Sequence, residues 1–287
     1  MAFGARVPGT DAHEACGNWL VSELQRHGAE VTEQRGTMPN YATLAQPLRN
    51  IIAHIPGSVP TTILLCAHWD TRPWSDEEVD YDNRHLPVPG ANDGASGVGV
   101  LLEIARQLQV LRATDKAAQI PTVDIIFFDG EDMGTPNHYT GPQREDTWCL
   151  GSQLWAKHYL QTPVAQRTKY QYGILLDMVG DPSATFPREY FSVNYAGTYV
   201  EQIWRTATKL GYGRYFVNQS TYYPITDDHY YVSTIAGIPC VDIIDYKPNT
   251  ETVFAEWWHT RQDNMQNINK QTLQAVGETV LTTICSK

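Results

Sequence analysis

Apolar residues along this chain fall into two spacings. Over 10–27, Ala15, Trp19, Leu20 and Leu24 recur at helical intervals, and Gly28 follows as a stop signal. Short apolar runs at 50–55 and 62–67 read as strands. The segment 76–89 is rich in Asp, Glu and Pro, and predicts a loop. Val98, Leu101, Leu102, Ala105 and Leu108 then mark a helix over 95–112. The run 123–128 is continuous in β-branched and aromatic residues, as expected of a strand covered on both faces. A helix over 150–160, a strand over 173–176, a helix over 200–210, a strand over 239–244 and a helix over 270–285 complete the pattern. Strands alternating with helices of these lengths predict an α/β fold, with a sheet carrying helices on both faces. No repeat, low-complexity tract or linker interrupts the chain, so residues 1–287 read as one domain.

Three of the strands stop at groups that bind protons or metals. The run 62–67 ends in His68-Trp69-Asp70, the run 123–128 in Asp129-Gly130-Glu131-Asp132, and the run 173–176 in Asp177. Ligands of open α/β sheets bind beyond the carboxyl ends of the strands. These acids would therefore gather at one sheet edge, where their mutual repulsion calls for a cation. The residue types are nitrogen and oxygen donors of the kind a catalytic zinc site uses. Asp93 at the start of a helix, the triplet Asp227-Asp228-His229 ahead of another, and His259 in a loop add further candidates.

The net charge of −11 argues against binding nucleic acid or an anionic membrane surface, and no basic cluster overrides it. No apolar run reaches membrane-spanning length, and the first residues do not read as a signal peptide. The five cysteines include no C-x-x-C pair, which disfavours a thiolate zinc site, and Cys66 and Cys240 read as small buried hydrophobes.

Six motifs then carry a resemblance. HWD at 68–70, GANDGASG at 90–97, FFDGEDMG at 127–134, LLDMVG at 175–180, ITDDH at 225–229 and WWHT at 257–260 occur in the order typical of one superfamily. Over nearly its whole length the chain resembles the zinc aminopeptidase and animal-type glutaminyl cyclase group. The resemblance implies a central mixed, mostly parallel β-sheet sandwiched by α-helices. In the aminopeptidases two metals are held by five ligands, whose motif positions here are His68, Asp93, Asp132, Asp177 and His259. Two features resemble cyclases instead. Asp227 stands where aminopeptidases usually have Ser, and Trp258 directly precedes the metal His. PWSDEE, TWCLGSQ and FPREYF look like the bacterial relatives of the animal-type cyclase.

The cyclase resemblance implies conversion of N-terminal Gln of peptides or proteins to pyroglutamate, with one zinc ion per chain on Asp93, Asp132 and His259. It makes Glu131 the general base and acid, Asp177 and Asp227 a hydrogen-bonded acidic pair, and Trp258 and Phe254 the pocket walls. It also implies a cis peptide after Asp93, and export to the periplasm with a membrane tether in a segment absent from this chain. Asp132 departs from the Glu usual in the animal cyclases. Being one methylene shorter, it needs its loop drawn closer to the metal.

Other readings compete. Asp93 could simply cap its helix. His68 and Asp70 could hydrogen-bond each other and, with His229, support the ligands from behind. His13, His27, His54, His138 and His158 read as ordinary surface or helix residues, and Trp148 and Trp155 as core. The acids of 76–82 read as a solvated loop, with calcium an alternative. Asn218-Gln219-Ser220 matches a glycosylation sequon. For the whole chain the alternatives are a two-zinc aminopeptidase, using His68 and Asp177 for the second ion, and a non-catalytic binding module on the same fold.

Overall fold

The computed structural model describes residues 2–286 apart from 115, 116, 118 and 143. In chain order the elements are α1 (Asp11–Arg26), β1 (Glu30–Met38), β2 (Gln46–Ile55), β3 (Val59–His68), α2 (Ala95–Arg112), β4 (Pro121–Phe128), α3 (Leu150–Gln161), β5 (Tyr170–Asp177), β6 (Phe186–Arg188), α4 (Tyr190–Lys209), β7 (Phe216–Ser220), α5 (Asp228–Thr234), β8 (Cys240–Ile244) and α6 (Lys270–Cys285). Side-chain caps start the outer helices. Thr10 accepts from the His13 N–H, Glu189 from those of Phe191 and Ser192, and Asn269 from those of Gln271 and Thr272.

Six strands form one sheet in the order β1-β2-β4-β3-β5-β8. The β1–β2 and β2–β4 pairs are antiparallel, while β4, β3, β5 and β8 run parallel. This is the mixed, mostly parallel sheet the resemblance implies. The strands alternate sides, and the two faces bury different residues. Ile63, Leu65, Val123, Ile125, Phe127, Ile174 and Leu176 face α1, α2, α4 and α6. Leu64, Cys66, Ile126, Phe128 and Leu175 face α3 and α5. Both faces being covered explains why β4 reads as an unbroken apolar run. Truncating the fully buried Ile126 to Ala would cost about 2–5 kcal/mol.

The winding order creates the site. From β3 the chain passes through α2, on one face, to β4; from β4 it passes through α3, on the other face, to β5, which lies on the opposite side of β3. The crevice at such a reversal opens beyond the carboxyl ends of the strands. His68, Asp129 and Asp177 end or follow β3, β4 and β5 at this edge.

Several expectations need correction. β1 is absent from the apolar pattern because it is an edge strand with mostly exposed or half-buried positions. The helix expected over 200–210 begins ten residues earlier, at Tyr190, where Glu189 supplies the cap. Asp228 and His229 are the first residues of α5, not a prelude to it, and Asp227 is its N-cap. The peptide after Asp93 is trans, and among the described residues no cis bond occurs. Gly94 turns the chain with φ +83 instead, and a Cβ there would lie 2.9 Å from His68 Cε1. His13 is buried, stacks on Trp69 and contacts Asp129 Oδ1 at 2.9 Å. His54 Nδ1 contacts Asp124 Oδ1 at 2.6 Å, and His27 is also buried. His138 and His158 are exposed, as expected.

Candidate active site and its metal-binding groups

A pocket of about 360 Å³ opens at the sheet edge. Asp93, Glu131, Asp177, Asp227 and His259 line it, walled by Trp258, Phe254 and Trp148. Trp148, expected in the core, is instead a wall of this pocket, its ring parallel to the His259 imidazole with centroids 6.2 Å apart. Trp155 is core, packed on Phe128. Trp258 stacks on His259 at 3.5 Å and meets Phe254 at 4.9 Å.

Asp93 does not cap α2. The cap position is Gly94, without a side-chain bond, and the Asp93 carboxylate reaches two imidazoles instead. Its backbone N–H is held by Asp263 Oδ2 at 3.0 Å, which fixes the turn from behind. His68 Nε2 lies 2.9 Å from Asp93 Oδ1 and bonds Asp177 Oδ1 at 3.2 Å, while its Nδ1 faces Asp70 Oδ1 at 3.4 Å. His259 Nε2 lies 3.5 Å from Asp93 Oδ2 and 3.2 Å from Asp132 Oδ1. Donor atoms of His68, Asp93 and Asp177 fall within 4.8 Å of one another, and so do those of Asp93, Asp132 and His259. All five residues are buried.

The two groups differ in one respect. Asp132 Oδ2 is buried with no hydrogen-bond partner, whereas His68 and Asp177 bond each other. An orphaned buried carboxylate oxygen is costly unless a cation meets it. A donor set of two carboxylates and one imidazole, leaving a fourth position open, fits a catalytic zinc ion.

The short Asp132 reaches its place because the loop is drawn in from both sides. Asp70 accepts the backbone N–H groups of Glu131 at 3.1 Å and Asp132 at 3.2 Å. Arg72 donates to the carbonyls of Asp132 at 3.3 Å and Gly134 at 3.5 Å. Gly134 is required for close approach, since a Cβ there would fall 1.8 Å from the Trp148 ring. Asp70 thus serves Glu131 and Asp132 as well as His68. The expectation of a solvated acidic loop fails at Asp76, which is buried against Arg72 at 2.8 Å and 2.6 Å.

His229 does not back the ligands. It sits in α5 with Nε2 3.0 Å from Glu189 Oε2 and Nδ1 3.5 Å from Asp242 Oδ2. Nor do Asp177 and Asp227 form the expected direct bond. Asp177 bonds His68, while Asp227 Oδ1 accepts the Asp228 N–H and Oδ2 has no partner.

Crowding shifts the protonation equilibria. Burial, with the charge of Asp177, pushes Asp227 up to about 7. Burial, then Asp227 and Asp132, raises Glu131 well above the usual carboxylate range against the opposing pull of His68. Burial alone would lower His68 and His259, but surrounding acids outweigh it; His68 is raised well above its ordinary value and His259 to about 9. Cys149 donates its thiol proton to Glu131 Oε1 at 3.2 Å, a contact the sequence does not announce.

Backbone strain collects here too. Among the described residues the non-glycine positions with positive φ are Cys149, Met178, Val253 and His259. The last three line the pocket, and Cys149 touches Glu131. Such conformations cost about 1–3 kcal/mol each and cluster where geometry matters.

This fold and site define a zinc-exopeptidase-type α/β protein with its acids and histidines on the carboxyl edge of the sheet. The chain belongs to peptidase family M28, whose model matches residues 50–284. It is 46% identical, at TM-score 0.92, to the structure of Tannerella forsythia glutaminyl cyclase, covering 100% of this chain and 94% of that one. It is 47% identical, at TM-score 0.91 and the same coverage, to a Zn-dependent exopeptidase from Parabacteroides distasonis. Bovine glutaminyl-peptide cyclotransferase is 27% identical over 291 residues, covering 93% of this chain and 74% of its own length. The Bacillus subtilis aminopeptidase YwaD is 28% identical over 91% of this chain, which spans 50% of that relative's length.

Proposed function

We propose that this protein converts the N-terminal glutamine of peptides and proteins into pyroglutamate and releases ammonia, with one zinc ion held by Asp93, Asp132 and His259. The observation that carries the reading is the convergence of three acids, Glu131, Asp177 and Asp227, on one aromatic-walled pocket that also holds Asp93 and His259.

Cyclisation joins two groups of one residue. The α-amine attacks the γ-carbonyl carbon, a new C–N bond forms, the amide C–N bond breaks, and ammonia leaves. No water is consumed, so the protein must hold one folded side chain and move protons. Glu131 takes a proton from the attacking amine and returns one to the departing nitrogen, and burial, by raising its pKa, helps it hold that proton between the two transfers. Asp227 titrates near 7, and Asp177 stays engaged with His68, so one carboxyl can donate to the amide group while its neighbour accepts. Trp258, Phe254 and Trp148 exclude water and fit a small planar amide. When bound, zinc supplies Lewis-acid polarisation of the γ-carbonyl.

A hydrolytic two-zinc reading would also load His68, Asp93 and Asp177. The single-ion reading is favoured because that group is closed by its own hydrogen bond, whereas the His259 group leaves Asp132 Oδ2 unpartnered.

The test is a short peptide beginning Gln-Ala, followed by mass spectrometry beside a Glu131→Gln control. Loss of ammonia with the peptide bond intact, and absent in the control, is the expected result. Release of free glutamine would overturn the reading.

A further inference from the structure

Arg72 is buried between the site and the loop of 76–89, in a sequence context, TRPW, that gives it no role. Its guanidinium forms a two-pronged bond to Asp76, with Nε to Oδ1 at 2.8 Å and Nη2 to Oδ2 at 2.6 Å. Nη1 reaches Asp132 Oδ1 and the Asp132 carbonyl, each at 3.3 Å. The cation lies over the Trp148 ring at 4.7 Å. Asp76 Oδ1 in turn lies 3.8 Å from His259 Nδ1, on the side of the ring away from Asp93 and Asp132. One planar group thereby touches a proposed ligand, the acid facing the ring of a second ligand, and the aromatic wall beside that ring.

We propose that Arg72 is a positioning residue that sets the affinity of the Asp93–Asp132–His259 group for its divalent metal. It holds Asp132 by one oxygen and by its backbone, leaving Oδ2 unpartnered. It fixes Asp76 opposite His259 Nδ1, where a carboxylate orients the imidazole and strengthens Nε2 as a donor. A lysine keeps the charge but cannot reproduce the planar fork, so geometry and charge can be separated. The inference rests on the proposed metal set.

The experiment titrates metal-stripped protein with zinc alone against a chromophoric chelator, in wild type, Arg72→Lys and Arg49→Lys. Arg49 is a buried arginine paired with Glu14 and Glu33, outside the pocket, so its variant controls for general loss of stability. Zinc affinity is expected to fall about 10- to 100-fold in Arg72→Lys and to be unchanged in Arg49→Lys, the scale usual for removing a group that orients a ligand. An unchanged affinity in Arg72→Lys overturns the proposal, and so does an equal fall in both variants. Should Arg72→Lys not fold, Asp76→Asn carries the same test, with a fall expected and wild-type affinity contradicting it. Wild-type stoichiometry reads the metal centre and the variant shift reads the clamp, and neither uses the glutaminyl substrate, so the failure of one is distinguishable from the failure of the other.

Discussion

Two buried imidazoles share one carboxylate. His68 and His259 both approach Asp93, each has a second Asp within 3.2 Å of Nε2, and each has a further Asp facing Nδ1. In composition the two halves are nearly equivalent. They differ in closure. His68 ends a strand and hydrogen-bonds the acid that ends the neighbouring strand, whereas His259 stands in a strained loop beside an acid with a free oxygen. Equal donor sets therefore need not do equal work. A group already satisfied by its own hydrogen bonds gains less from a metal than one with a desolvated, unpartnered oxygen.

The comparison breaks most sharply by exchanging the imidazoles. His259→Ala should lower kcat about 10³-fold or more, since it removes a proposed ligand of the metal, and a catalytic metal contributes several kcal/mol. His68→Gln should lower it only about 10-fold, as for a group that orients others. Equal losses, measured by ammonia release at matched zinc, would erase the distinction.

Glu131→Gln sharpens the assignment of proton transfer. A loss of about 10²-fold or more in kcat, with zinc retained, is expected of a general base and acid. Loss of zinc instead would make Glu131 a ligand.

Asp227 predicts a pH effect. Its folded pKa of about 7 lies above the ordinary carboxylate value, so the folded state binds more protons than the unfolded one between those limits. The stability this proton gives is fully present below the ordinary value and is lost as pH rises through about 7. The pH dependence of unfolding in this window should therefore weaken in Asp227→Asn, and an unchanged slope in urea titrations would contradict the assignment.

The smallest effect belongs to Cys149. Cys149→Ala removes one neutral hydrogen bond to Glu131, worth about 1 kcal/mol, so kcat should fall about 5-fold with KM unchanged. Cys149→Ser should restore most of it. A rise in KM alone would place the thiol in substrate binding instead.

What the sequence reveals follows the physics of each element. The inner strands are legible because burial on both faces leaves only apolar residues, and the polar residues that end them stand out by contrast. The start and end of α2 and α6 are legible from helical spacing. β1 is not, since an edge strand with little burial has no apolar alternation. Asp93, Glu131 and Asp177 are readable as strand-end or turn groups, but His259 lies in a loop and is visible only through the WWHT resemblance. Trp148 and Arg72 escape because a flat ring beside an imidazole and a guanidinium among carboxylates have no periodic signature. Their roles depend on partners far along the chain, Asp132 at 60 residues from Arg72 and His259 at 111 from Trp148.

The most direct test is the number of zinc ions bound by metal-stripped protein, counted by native mass spectrometry in wild type and His68→Gln. One ion in each is predicted, held by the His259 group. Two ions in wild type and one in the variant would mean that both imidazoles bind metal, and the difference drawn between them would be wrong.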